Sequence, residues 1–329
     1  MSYEVKQFSF VLEAETPVAH HEENIGNQSI FMRRKVRQPD GRFVRVPYLT
    51  GDSMRHGLRE SGAYAFLDAA GLLESSLTEA ALRLLFAGGM VTGRGDAGVV
   101  NMDRYRELST LCPPLKLLGG CCDNRTIPGQ LEVDEATLIC AEQSHRMPET
   151  VREWLNGRES PSFREHLEVA QRVRMDPLLN PAKRELLLPA DQVEVGRRLS
   201  SGEKAHTDDD AIARDESKST MLPRTFERLA EGSLFWWRVT CHCMSDLDVD
   251  TFMVLIGAFL ARCQVGGKRA TGHGRLRCVK AWDIAIQRPA EAGTAVDPMS
   301  LGTRVGSLFR DHVATHKEQI KTWLSQVNA

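Results

Sequence analysis

The chain has 329 residues, of which 42% are hydrophobic and 26% charged, so it can bury a core as one large domain or two small ones. This composition excludes wholesale disorder, and the longest apolar stretch, residues 251–263, is too short to span a bilayer. Residues 1–17 alternate and carry acids, unlike a secretion signal. We therefore expect a soluble, cytoplasmic protein that has no contact with a membrane.

The charge is distributed unevenly along the chain. A net charge of −2 and a pI near 6.6 argue against a simple basic nucleic-acid binder. However, residues 33–45 hold six bases and one acid, residues 262–280 hold six bases and no acid, and residues 203–216 hold six acids and two bases. The sequence therefore predicts two basic patches and an acidic loop behind a near-neutral total.

The N-terminal part of the chain predicts strands first and helices afterwards. Residues 5–14 alternate in hydrophobicity, which indicates a half-buried strand. A polar stretch follows, which we interpret as a long loop insertion over approximately 15–45, and a short strand is predicted over 43–48. Further along, residues 78–87 and 101–111 are predicted helices.

A longer helix is predicted to begin at Asp52 or Ser53, since either side chain can accept from the free N–H groups of a first turn. Met54 would lie on its buried face. Arg55 and Arg59, one turn apart, would share a neighbouring face.

The C-terminal part alternates between strands and helices around one irregular stretch. We predict strands over 130–140, 233–243 and 275–286, a helix capped by Ser245 or Asp246 that ends near residue 263, and a terminal helix over 303–327. Together the elements predict an α+β fold around an antiparallel sheet, with the βαββαβ ferredoxin-like plan as the simplest candidate. Residues 1–329 would form a single domain, with insertions at approximately 15–45 and 145–230.

The strongest local motif is a glycine-rich loop. Four glycines fall within residues 266–274, together with Lys268, Arg269 and His273. Glycine lets backbone N–H groups approach an anion closely, and the bases supply charge, so the pattern favours phosphate binding. The alternative is a flexible turn with solvated bases. Residues 51–59 form a second such pattern, for which a phosphate site and an ordinary capped helix remain equally open.

Metal and catalytic motifs are weak. Eight scattered cysteines are expected to be reduced thiols, and the spacing of Cys241 and Cys243 does not match a zinc knuckle. His20-His21-Glu22-Glu23 and Asp208-Asp209-Asp210 are typical of solvated loops. We therefore expect no cofactor, no metal and no catalytic residue.

Four segments, in this order, resemble the RAMP superfamily of CRISPR proteins. "VPYLTGDSMRHGLRE" is similar to the family's "IPGSSLKGALR" helix start, although Thr50-Gly51 replaces its proline-glycine. "PLKLLGGCCDNRTIPGQLEV" is similar to the "LFG" segment, and "MLPRTFERLAEGSLFWWRV" to the stretch that returns from a thumb hairpin. "GGKRATGHGRL" is similar to the C-terminal glycine-rich loop. The length and "HHEENIGNQSIFMRRKV" resemble the type IV version of the backbone subunit.

This resemblance implies a right-hand-shaped subunit with an RRM-like core, copies of which stack in a helical filament along guide RNA (crRNA). A thumb, here approximately 195–225, would displace bases at intervals. The residues implied to face RNA phosphates are Ser53, Arg55, Arg59, Lys268, Arg269 and His273. Met221 and Arg224 would lie at the thumb, and the basic run Arg33, Arg34, Lys35 and Arg37 would line the RNA or target groove. Type IV resemblance also implies a DNA target, other Cas subunits and a separate helicase as partners.

One departure from the family bears on catalysis. Type III backbone subunits cleave target RNA with an aspartate after the first strand, whereas the matching stretch here, residues 26–30, has no carboxylate. We therefore predict a non-catalytic subunit that presents its guide for target pairing. The alternatives are a RAMP endoribonuclease that uses His273, His20 or His21 as acid or base, and a protein-interaction scaffold that binds no RNA.

Overall fold

The computed structural model describes residues 4–25, 27–89, 102–122, 125–172, 182, 185–201, 224–284, 293–297, 300 and 306–326. The chain divides into two compact units. The first unit comprises Met1–His20, Met32–Leu167 and Leu229–Ala329, and the second comprises His21–Phe31 and Glu168–Arg228. Both segments of the second unit fall within the stretches expected to be insertions.

The strands that the structure describes are β1 (Glu4–Ala14), β2 (His21–Ile25), β3 (Gln28–Phe31), β4 (Arg33–Arg37), β5 (Phe43–Leu49), β6 (Gly120–Cys122), β7 (Arg125–Ile127), β8 (Leu131–Val133), β9 (Ala136–Leu138), β10 (Leu167–Arg172), β11 (Arg224–Leu229), β12 (Leu234–Cys243), β13 (Leu276–Ile284) and β14 (Gly293–Val296). The described α-helices are α1 (Gly51–Ala69), α2 (Glu79–Ala87), α3 (Met102–Leu111), α4 (Pro113–Leu118), α5 (Glu149–Leu155), α6 (Phe163–His166), α7 (Pro189–Ser201), α8 (Asp246–Arg262), α9 (Ser307–Thr315) and α10 (Lys317–Gln326). Short 3₁₀ turns cover Ala141–Arg146 and Arg269–Thr271.

The first unit is built on one large antiparallel sheet. Its strand order is β14-β13-β1-β12-β9-β5-β4, and β8 also pairs with β12. Within it, β1, α1, β9, β12, α8 and β13 follow one another in a βαββαβ succession, and the four strands lie in the order β13-β1-β12-β9. That order is the ferredoxin-like arrangement, so the predicted α+β fold class is confirmed.

The centre of the sheet is buried on both faces, because consecutive residues of β1, 8–12, project alternately to the two faces and all of them are buried. Phe10 is fully buried and stacks on Trp237 of β12 with ring centroids 5.2 Å apart. Trp237 in turn meets the Phe259 ring of α8 edge-on at 5.3 Å. This aromatic column fixes α8 against the sheet through apolar burial.

The second unit contains a four-stranded sheet in the order β10-β11-β3-β2. β2 and β3 form an antiparallel hairpin, and β11 pairs with β3 in parallel. The loop predicted over 15–45 is therefore wrong in part, since these residues include a hairpin of polar strands whose composition gave no apolar alternation.

Several predicted boundaries are corrected. The strand predicted over 130–140 is two short strands, β8 and β9, separated at Asp134, whose carboxylate accepts from Arg238 Nε at 2.7 Å. The terminal helix is broken at His316 into α9 and α10. Ser245 is confirmed as the cap of α8.

The cysteines and helices bear on earlier expectations. All eight cysteines are free thiols, as predicted, and burial raises the pKa of Cys112 to about 12.

Of the helices in the described parts of the chain, none combines the length and apolar character that a membrane crossing requires.

Candidate nucleic-acid interface

Two sequence motifs that lie more than 200 positions apart meet at the start of α1. The cap of this helix is Thr50, not Asp52 or Ser53 as predicted, and its side chain accepts from Ser53 N at 3.3 Å. This leaves the Ser53 hydroxyl to accept from Gly266 N at 3.2 Å. Because a hydroxyl that accepts can also donate, Ser53 joins the helix start to the glycine-rich loop and still has a hydrogen to offer.

His20 makes hydrogen bonds at the same place, close to the start of α1. Its Nε2 accepts from Thr50 N at 3.3 Å, and its carbonyl accepts from Met32 N at 2.7 Å. The imidazole therefore holds the chain where β5 turns into α1, a role that the residue's polar surroundings in the sequence did not indicate.

The glycine-rich loop is held by close backbone contacts. Gly266 has φ +75°, and a Cβ there would lie 2.4 Å from Ala19 O. Gly274 has φ +82°, and a Cβ there would lie 1.9 Å from Val265 O. These glycines are required because backbone passes close to backbone, and only glycine fits such positions without strain.

The charged residues of this loop have different surroundings. Lys268 is half-buried in the left-handed region, with φ +59°, at the start of the 3₁₀ turn. Arg269 Nη1 donates to Glu60 Oε2 of α1 at 2.6 Å, so a carboxylate partly offsets its charge. His273 Nδ1 lies 3.1 Å from Thr271 O. The Glu60 pair was not predicted, because nothing local links residues 209 positions apart.

Arg55 and Arg59 of α1 turn towards the protein and not towards solvent. Arg59 is 8% exposed, and its Nη1 donates to Gly119 O at 2.9 Å. Arg55 donates to the carbonyls of Leu118 and Leu131. Burial, aided by the neighbouring Arg55 charge, lowers the pKa of Arg59 to about 10. Both guanidinium groups therefore have a structural role, and their contact with RNA phosphates stays a prediction.

The β4–β5 hairpin separates its basic side chains onto two faces. Side chains two apart on a strand share a face, so Arg33, Lys35 and Arg37 lie opposite the face of Val36, which is 1% exposed. Arg34 lies on the Val36 face, where it pairs with Glu135 and donates to Thr137 Oγ1 at 2.8 Å. Arg34 is therefore paired within the protein, on the face opposite to the other basic residues that were predicted to line the groove. Lys35 and Arg37 are exposed.

The residues predicted to lie at the thumb fall within the stretch of the second unit, Glu168–Arg228. Arg224 is exposed at the start of β11. Residues 195–201 form the end of α7, and residues 202–223, which include Met221 and Asp208-Asp209-Asp210, lie outside the described residues.

The remaining histidine of the predicted acid/base set also has a bonded partner. His21 Nε2 lies 3.1 Å from Glu227 O within the second unit. In the parts of the chain that the structure describes, no group of three or more His, Cys, Asp or Glu side chains is placed to hold a metal ion.

Comparison with known proteins gives limited similarity. No family model matches the chain, and no curated protein matches it. Among solved structures, a chain of a "Type IV-B CRISPR Complex" is similar at 17% sequence identity, over 87% of this chain and 93% of that one, with a TM-score of 0.49. The functional interpretation therefore depends on the residues of this chain.

Proposed function

We propose that this chain is a non-catalytic, crRNA-binding backbone subunit of a CRISPR effector complex. One observation carries the proposal: the helix-start motif and the glycine-rich loop, which resemble family motifs far apart in sequence, are in direct contact through Ser53 Oγ and Gly266 N at 3.2 Å. Through this contact, the loop that carries Lys268 is held against the start of α1 on the ferredoxin-like core. The outward basic face of β4 adds Lys35 and Arg37 in the same unit.

The chemistry of these groups favours contacts to the RNA backbone. Lysine, arginine and backbone N–H groups bind phosphate without reading bases, so affinity would depend on salt and not on spacer sequence. Bases left outside the contacts would pair with a target strand, which we propose to be DNA. Neighbouring copies would assemble along the guide, with other Cas subunits and a helicase as further partners.

The absence of catalysis is part of the proposal. The described residues Asn27–Ile30, which match the cleavage loop of related subunits, contain no carboxylate. His20 is bonded at the helix start. Both features support a scaffold more than a nuclease.

The direct test is to purify the protein from cells that co-express a guide RNA and to sequence the RNA recovered at low and high salt. We expect protected RNA of regular, uncut length that travels with a protein multimer and is released as salt rises. Monomers free of nucleic acid would contradict the proposal and favour the protein-interaction scaffold.

Processing activity is tested separately with precursor RNA and the purified protein. We expect uncut RNA with the wild type and with His273→Ala. Trimming by the wild type that His273→Ala abolishes would establish the endoribonuclease alternative. Lys268→Gln is the matched comparison, since it should weaken binding without creating or removing any cleavage.

A further inference from the structure

A basic depression lies beside the β4–β5 hairpin in the first unit. Its volume is about 480 Å³, within the range of small-ligand sites. The described residues that line it are Arg33, Phe43, Val44, Arg45, Phe163, Arg164 and Leu167. Three of these are arginines, two are phenylalanines and none is acidic, a combination that the function proposed above does not use.

The hairpin supplies one wall. In the antiparallel register Phe43 is opposite Arg37, and Arg45 is opposite Lys35. Residues directly opposite each other in such a pair project to the same face, so Phe43 and Arg45 share the outward basic face of β4. Phe43 is 65% exposed, which makes a large apolar ring accessible among guanidinium groups.

The start of α6 supplies the other wall and is fixed by Glu142. The carboxylate of Glu142 accepts from Ser162 Oγ at 2.6 Å and from Phe163 N at 3.0 Å. Phe163 is 7% exposed, and it anchors the turn so that Arg164, 5.9 Å from its ring centroid, is held exposed at the rim. The acid near this turn therefore orients α6 and is not part of the lining.

An exposed ring with arginines around it is the chemistry that recognises a nucleotide. A base stacks on an aromatic face with little sequence preference, and guanidinium groups bind the flanking phosphates. A single exposed phenylalanine would need no explanation. Here it coincides with three arginines in a concave site, which a purely solvated face does not require.

We propose that this depression binds one nucleotide of a single-stranded RNA, with the base stacked on Phe43 and the flanking phosphates on Arg33, Arg45 and Arg164. This inference rests on the proposed function and deepens it. It assigns a base-contacting site to a subunit whose other predicted contacts are to phosphate.

The test compares two probes of equal length, an unstructured single-stranded RNA and its abasic ribose-phosphate counterpart. Phe43→Ala should weaken binding of the intact RNA about 5- to 50-fold, as expected for one lost base–aromatic contact, and leave binding of the abasic strand unchanged. Arg164→Gln should weaken both probes. Phe43→Trp should restore intact-RNA binding, and Leu82→Ala, which truncates another half-exposed apolar side chain, should change neither.

The outcomes separate this inference from the proposed function. If the wild type binds neither probe, the proposed function fails and the nucleotide site fails with it. Suppose that the wild type binds RNA in a salt-dependent way, and that Phe43→Ala and Arg164→Gln bind the intact RNA as tightly as the wild type does. Only the nucleotide site is then overturned. A loss of self-association by Phe43→Ala without RNA, together with unchanged RNA binding, would overturn it in favour of a contact with a second copy.

Discussion

Helix α1 and strand β4 each carry basic side chains within a few residues of one another, and the two sets lie in opposite environments. On α1, the guanidinium groups of Arg55 and Arg59 are directed at backbone carbonyls, and Arg59 is buried. On β4, Lys35 and Arg37 are exposed, opposite a face filled by Val36. The same residue types thus bond backbone carbonyls in one region and are exposed to solvent in the other.

The difference comes from what lies opposite each element. Helix α4 ends at Gly119, and the last carbonyls of a helix have no partner within it. Cations near a helix C-terminus satisfy such carbonyls and interact favourably with the helix dipole, so the α1 arginines act as caps for α4. Strand β4 lies at the edge of the sheet, and Lys35 and Arg37 on its outward face are exposed to solvent.

The largest effect is expected from Arg59→Met. Loss of the guanidinium removes the donor to Gly119 O, while Leu118 O keeps its bond from Arg55, so the free energy of unfolding should fall by about 2–3 kcal/mol. Urea denaturation followed by circular dichroism measures this change. RNA affinity of the folded variant should match that of the wild type.

Arg106→Met provides the control, because its partner Asp103 is one turn away on the exposed surface of α3 and such pairs contribute about 0–1 kcal/mol. If Arg59→Met kept full stability and lost RNA binding, Arg59 would belong with the β4 side chains, and the contrast between the two regions would disappear.

A smaller effect is expected from Gly274→Ala in the glycine-rich loop. The added Cβ would lie 1.9 Å from Val265 O and the backbone has φ +82°, so the chain around residue 274 must shift away from Val265. We expect this strain to lower the free energy of unfolding by about 1–3 kcal/mol. RNA binding should weaken as well, because the strained residue lies in the loop that is proposed to bind phosphate. Thermal unfolding and RNA titration measure the two effects.

Gly272→Ala is the matched comparison. Gly272 has nearly the same φ, +81°, but open space around the added Cβ. Its cost should be limited to the left-handed conformation, about 1 kcal/mol. Equal losses from the two variants would mean that backbone conformation, and not the close approach to Val265, controls the loop.

How far the sequence predicts these features depends on the distance between partners. The alternation in β12 and the Ser245 cap of α8 are local patterns, and both were predicted correctly. The role of Arg59 was not, because its acceptor, Gly119 O, is sixty positions away at the C-terminal end of α4. Long-range pairing decides which basic residues remain exposed, and no local periodicity encodes it.

One missed element did have a signal. Residues 38–42 contain Pro39-Asp40-Gly41, a turn sequence, between the basic run 33–37 and residues 43–46, where Arg45 lies between Val44 and Val46. Gly41 has φ +88°, as such a turn requires. Reading this pattern as a hairpin would have predicted which face Phe43 and Arg45 share.

The smallest effect, and the closest comparison, comes from adjacent residues on β4. Lys35→Gln removes one outward charge and Arg34→Gln removes one inward charge that pairs with Glu135. If Lys35 contacts one phosphate, its loss should reduce the slope of log affinity against log salt concentration by about 0.7, the value for a single-stranded nucleic acid, and weaken binding a few-fold at low salt. Arg34→Gln should leave that slope unchanged and lower stability instead, since it breaks contacts to Glu135 and Thr137. Slopes that fall equally in the two variants would mean that both faces of the edge strand contribute to RNA binding, and two slopes equal to that of the wild type would mean that Lys35 contacts no phosphate.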